Sequence, residues 1–132
     1  LRHVESELQK SIISWFNIQY PNFEGLLVGY VAGLNFSINV RTRMKAMGLR
    51  AGFPDLMLLV PRKTKWSIIN EKWSHGLFIE LKTQKGKVSP VQKLYHDKLI
   101  SQDYAVTVCR SFEETQNQIK SWLMRASGHE LI

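Results

Sequence analysis

At 132 residues and 44% hydrophobic, the chain suits a single domain over residues 1–132 with a buried core, and is too short for two ordinary ones. Its 18 Lys and Arg against 11 Asp and Glu give a formal charge of +7, a surplus that attracts polyanions, nucleic acid first. No apolar stretch approaches the roughly 20 residues that cross a bilayer, no signal-peptide pattern precedes the first helix, and no basic amphipathic helix offers a continuous apolar face. A cytoplasmic protein without a membrane partner is therefore expected. Its one cysteine, Cys109, excludes an internal disulfide and suits a reducing compartment as a small buried hydrophobe.

From the N-terminus, Val4, Leu8, Ile12, Trp15 and Phe16 repeat at helical spacing, so a helix is expected over residues 4–20, ended by Pro21. Residues 26–32 read as a strand, and 40–47 as a short basic helix closed by Gly48. Strands at 55–60 and 77–83 follow, and the connection between them, 61–76, is long for a hairpin. Ser89-Pro90-Val91-Gln92 combines an N-cap serine, a proline at the first helical position and a glutamine at the third. A helix should run from there to about Gln102. Residues 104–109 read as a strand, and Ser111-Phe112-Glu113-Glu114 repeats the capping pattern ahead of a last helix striped by Phe112, Ile119, Trp122 and Leu123. The order α-β-α-β-β-α-β-α, without repeats or low-complexity tracts, predicts an α/β fold with a mixed central sheet flanked by helices.

Charged groups interrupt two of the strands that should form the core. Asp55 opens the apolar run Leu56-Met57-Leu58-Leu59-Val60, and Leu77-Phe78-Ile79 ends in Glu80-Leu81-Lys82. An ionised carboxylate at such a position is costly unless a cation or donor compensates it. Strand alternation puts Glu80 and Lys82 on one face. If the two strands pair, Asp55 and Glu80 converge as oxygen ligands for a hard cation, Mg2+ or Mn2+, one of whose waters is a candidate nucleophile. Glu5, one helical turn before Gln9 at the border of the apolar stripe, is a candidate third carboxylate.

Other chemistries find less support. His3, His75, His96 and His129 lack the close pairing of a zinc site. No Gly-rich phosphate loop suggests a nucleotide cofactor. Basic side chains have clearer candidate roles: Arg41, Arg43, Lys45 and Arg50 as the lining of a DNA groove, and Lys85 and Lys87, flanking Gly86, as phosphate contacts just beyond the Glu80 strand. Tyr95 and His96 are expected to divide between core and surface.

Gly52-Phe53-Pro54-Asp55, Ile79-Glu80-Leu81-Lys82 and Gly86-Lys87-Val88-Ser89-Pro90-Val91-Gln92, in this order, resemble the VRR-NUC family, the virus-type replication-repair nucleases of the PD-(D/E)xK superfamily. Glu5 and Gln9 in Glu5-Ser6-Glu7-Leu8-Gln9 match the family's helical Glu and Gln, and Val108-Cys109-Arg110-Ser111-Phe112 resembles the segment opening its last helix. The resemblance implies a restriction-endonuclease-like core, a divalent metal on Asp55 and Glu80 with a contribution from Glu5, Lys82 beside the attacking water, and Gln92 bordering the site. It also implies DNA phosphodiester cleavage, a bacterial or phage origin and, for small members, homodimers acting on branched DNA such as four-way (Holliday) junctions.

Two departures stand out. Ala32-Gly33-Leu34-Asn35 replaces an Asn-Gly-Gly-like turn, and residues 63–75 form a longer insertion whose Trp66, Ile68, Ile69 and Trp73 need cover, from a dimer contact or from DNA. The expected function is a metal-dependent structure-specific endonuclease. The alternatives are a DNA-binding module with a vestigial site and a flap- or duplex-directed nuclease.

Overall fold

Ile12 and Phe16, one helical turn apart in the first helix, are fully buried over the central sheet. A computed structural model describes residues 2–31, 36–65 and 70–127, with backbone alone for Arg2 and His3. Helix α1 (Arg2–Gln19) stops where Pro21 opens a 3-10 turn. There follow β1 (Leu27–Gly29), α2 (Ile38–Ala46), β2 (Leu56–Leu58), β3 (Arg62–Lys65), β4 (Glu71–Ser74), β5 (Leu77–Leu81), α3 (Pro90–Ser101), β6 (Ala105–Cys109) and α4 (Phe112–Leu123).

Four strands make one mixed sheet in the order β1-β2-β5-β6. β1 and β5 run antiparallel to β2, while β5 and β6 are parallel, a pairing that requires the crossover supplied by α3. Cross-strand partners share a face. Leu27, Leu58 and Leu77, then Leu56 and Ile79, line one side and are buried with Leu81 and Cys109 against Ile12 and Phe16 of α1 and Ile119 and Trp122 of α4. Each such large apolar side chain contributes about 1.5–3 kcal/mol on burial. On the other side Phe78 meets Phe53 and Tyr104, and Phe53 meets Tyr30 and Tyr95 of α3, a smaller aromatic layer.

The 61–76 connection, read from sequence only as long for a hairpin, holds a separate two-stranded sheet, β3 paired with β4. Its strands are rich in Lys, Thr and Glu and lack the apolar alternation that marks a strand in sequence. Cross-strand pairing holds it instead: Thr64 and Ser74 hydroxyls lie 3.0 Å apart, and Lys63 sits over the Trp73 ring. Lys63 N–H donates to the Ala126 carbonyl, and Lys72 pairs with Asp103 at 3.2 Å. Arg62 is buried, with Nη1 donating to the Pro61 carbonyl and Nε without a partner among the described residues.

The main-sheet strands are shorter than expected, although Leu59 N–H to the Leu26 carbonyl and Tyr30 N–H to the Asp55 carbonyl extend the β1–β2 ladder at both ends. α2 begins at Ile38 rather than residue 40 because the Ser37 hydroxyl accepts the Val40 N–H. The 32–35 departure, Trp66, Ile68, Ile69 and His129 lie outside the described residues. Among those described, no helix is long and apolar enough to cross a membrane.

Candidate active site

β2 and β5 pair Leu56 with Ile79, and continuing that register by one residue sets Asp55 opposite Glu80. Both then lie on the face of the sheet that α3 covers. Asp55 is anchored by its own strand partners: Tyr30 N–H donates to its carbonyl at 2.8 Å, and Leu81 N–H donates to its Oδ2 at 2.7 Å. A kink upstream aims it there. Gly52 adopts φ +84, and a Cβ at that position would come within 2.6 Å of the Val91 carbonyl at the start of α3, so only glycine fits the turn.

Glu80 is 2% exposed. Its Oε1 lies 3.1 Å from His96 Nε2, and its Oε2 accepts from Gln92 Nε2 at 3.4 Å. Burial, then the hydrogen bond and negative charge of Asp55, push its carboxyl up to about 9, with Lys82 opposing and Glu5 adding a weaker push. Burial also lowers the pKa of His96. Gln92 serves two purposes at once. Its Oε1 accepts the Ser89 N–H, completing the capping box of α3, while its amide nitrogen turns to Glu80.

The structure thus gathers Asp55, Glu80 and Gln92. Lys82 and Glu5 act on Glu80 through charge, without a hydrogen bond to it among the described residues. On α1, Glu5 stands in the first turn, and Gln9 reaches β1, with its Nε2 where a Cβ on Gly29 would fall. Sequence reasoning missed His96. Its signal was its place one turn after Gln92, which puts both side chains on one face of α3.

Lys85 and Lys87 are exposed on the turn after β5. Arg110 clamps that turn, its Nη1 donating to the carbonyls of Thr83, at 2.8 Å, and of Gly86. Glu114 accepts the Arg110 N–H rather than that of the N-cap Ser111, so the second capping box is displaced by one residue. Arg41, Arg43 and Lys45 are exposed along α2. Arg50 turns its guanidinium back onto the Lys45 and Leu49 carbonyls, and its backbone is held on both sides by the Tyr30 hydroxyl.

Against known proteins, the sequence profile of the VRR-NUC domain matches residues 4–113. The chain belongs to the VRR-NUC family. A solved structure described as a VRR_NUC domain protein aligns with a TM-score of 0.74 over 93% of this chain and 90% of that one at 21% identity, a likeness of fold. No curated protein matches the chain. A VRR-NUC domain is a nuclease of the PD-(D/E)xK type, which makes DNA its substrate, and that superfamily generally uses divalent metals.

Do this VRR-NUC chain's residues fit such a metal? Among the described residues no three His, Cys, Asp or Glu side chains are grouped to hold an ion. The carboxylates come as the pair Asp55 and Glu80. All their donors are hard oxygens, and Glu80 is a buried carboxyl set against a second carboxylate, with Lys82 the cation that opposes them. That set fits a cation such as Mg2+, which binds through one or two carboxylates and takes its remaining ligands from water and phosphate.

Proposed function

We propose that the chain is a Mg2+- or Mn2+-dependent endonuclease that hydrolyses phosphodiester bonds in branched DNA, four-way junctions foremost, as a homodimer. The observation that carries this reading is the placement of Asp55 against Glu80 across β2 and β5, with Lys82 two residues further along the same strand face. In this reading Asp55 and Glu80 hold the cation, with Glu5 adding negative charge from α1. When bound, a hard divalent cation would polarise the scissile phosphate and acidify a water.

The chain's own residues supply the rest. Lys82 brings a positive charge to the carboxylate pair, where it orients the attacking water and stabilises charge developing on the phosphate. Gln92 approaches one Glu80 oxygen at 3.4 Å from the capped first turn of α3. Lys85 and Lys87, with Arg41, Arg43, Lys45 and Arg50, supply cationic surface for the backbone of the substrate. The dimer follows from the symmetry of the substrate. One such site cuts one strand, and paired incision of a junction needs two related by a twofold axis.

The test is incubation of purified protein with labelled four-way junction, flap, duplex and single-stranded DNA, in Mn2+, in Mg2+ and in EDTA. Metal-dependent cutting of the junction is expected, and Asp55→Ala and Lys82→Ala should abolish it while retaining most DNA affinity. Binding without any metal-dependent product would replace this reading with a DNA-binding module carrying a vestigial site. Preferential cutting of flap or plain duplex would move the substrate while keeping the chemistry.

A further inference from the structure

Glu80 is held from both oxygens by one face of α3. His96 sits one turn beyond Gln92, is 6% exposed, and places Nε2 3.1 Å from Oε1, while Gln92 approaches Oε2 at 3.4 Å. The two contacts are unequal: 3.4 Å is at the long edge of a hydrogen bond, so Oε2 is the freer oxygen and Oε1 the fixed one. Asp55 shows the same division, with Oδ2 fixed at 2.7 Å by the Leu81 N–H. Each carboxylate of the pair therefore has one oxygen in close contact with a fixed protein nitrogen.

We infer that His96 is a positioning residue for the metal-binding carboxylate, donating from Nε2 to Glu80 Oε1 so that Oε2 is presented to the cation. This inference rests on the nuclease reading above. The physical reason is rotational. A glutamate has three side-chain torsions, and a carboxylate free to turn presents either oxygen or both. Pinning one oxygen from a buried ring on a capped helix fixes the plane of the group before the ion arrives, and such outer partners typically account for about 10–100-fold in metal affinity. With Glu80 ionised, the bond also selects the Nε2–H tautomer of the ring.

The experiment measures Mn2+ binding without DNA, by the electron paramagnetic resonance signal of free Mn2+, on wild type, Asp55→Asn, His96→Leu and His96→Gln. A glutamine amide reaches the position of the imidazole Nε2, whereas leucine fills the space without a donor. His96→Leu should bind Mn2+ about 10–100-fold more weakly than wild type, and His96→Gln should recover most of the loss. Junction binding in EDTA should be the same for both. If His96→Leu fails to fold, His96→Asn, whose amide stops at the Nδ1 position, takes its place in the comparison with His96→Gln.

Wild-type Mn2+ affinity in His96→Leu, or equal weakness in His96→Gln, overturns the role of His96. The nuclease reading survives either result if Asp55→Asn has lost the ion. Absence of Mn2+ binding in the wild type overturns both.

Discussion

Asp55 Oδ2 accepts a 2.7 Å hydrogen bond from the backbone N–H of Leu81, the residue between Glu80 and Lys82. The acid at the head of β2 is thus tied to the strand that leads through Glu80 to Lys82, and loss of the carboxylate is felt twice. Asp55→Ala removes the proposed ligand and leaves the Leu81 N–H unsatisfied, so it should end cleavage and lower stability by about 1–3 kcal/mol. Asp55→Asn keeps a carbonyl oxygen for that N–H and should end cleavage at nearly wild-type stability. Urea denaturation of both variants checks the difference, and equal losses would mean that the Leu81 bond contributes nothing.

Burial and Asp55 raise the Glu80 pKa from 4.5 to about 9. In metal-free protein the folded state keeps a proton on Glu80 that the unfolded chain has released above pH 4.5. The stability this group contributes is therefore lost as pH rises towards 9. The Tm of wild type should fall across that interval more steeply than that of Glu80→Gln. Bound Mg2+ or Mn2+ takes the place of the proton, so stabilisation by the cation should grow over the same range. Parallel pH profiles for the two proteins would refute the assignment.

The exposed turn bearing Lys85 and Lys87 should read out as salt dependence. If both touch phosphate, replacing them with alanine lowers the slope of log affinity against log salt by about 0.9 per residue on duplex DNA. Fluorescence anisotropy in EDTA measures this without cleavage, and an unchanged slope would remove both from the interface.

Arg110 acts on the same turn from beneath, through the Thr83 and Gly86 carbonyls. Arg110→Ala should destabilise the fold by about 2 kcal/mol, and Arg110→Lys should not fully recover it, because both bonds come from one Nη1 whose two protons are fixed in the guanidinium plane, whereas a lysine ammonium is freely rotating, more strongly hydrated and on a shorter stem. Thermal melts of the two variants decide this, with full recovery by lysine the contrary result.

Gly52 offers a test three residues ahead of Asp55. Any Cβ there meets the Val91 carbonyl at 2.6 Å in a backbone with φ +84. Gly52→Ala should lower stability by about 2 kcal/mol or more. Because the displaced turn leads into Asp55, cleavage should fall further than the loss of folded protein explains. Activity per folded molecule, taken from a melt and a rate on the same sample, separates the two effects.

What could be read from sequence was what local rules control. The Ser89 capping box, the helical stripe through Ile12 and Phe16, and the shared face of Glu80 and Lys82 all follow from spacing alone. The pairing of Asp55 with Glu80 depends on the register between two strands separated by a long connection, which spacing does not encode, although the family pattern pointed to it. His96 was invisible for a related reason. A histidine on a helix resembles any half-polar residue until the sheet beneath places a carboxylate against it. The β3–β4 hairpin escaped notice because its strands are held by hydroxyl, charge and cation–π contacts rather than by a buried apolar face.

That hairpin leaves and rejoins the main sheet at the Leu58–Leu77 end, whereas Asp55 and Glu80 stand beyond the Leu56–Ile79 end. At the hairpin end a Cβ on Gly76 would lie 2.7 Å from the Leu58 carbonyl, so β2 and β5 are already drawn together where the arm departs. The arm is consequently a splice point. Changes in its length and chemistry fall at the end of β2 and β5 opposite the acids, so the register that sets Asp55 beside Glu80 is fixed independently of them.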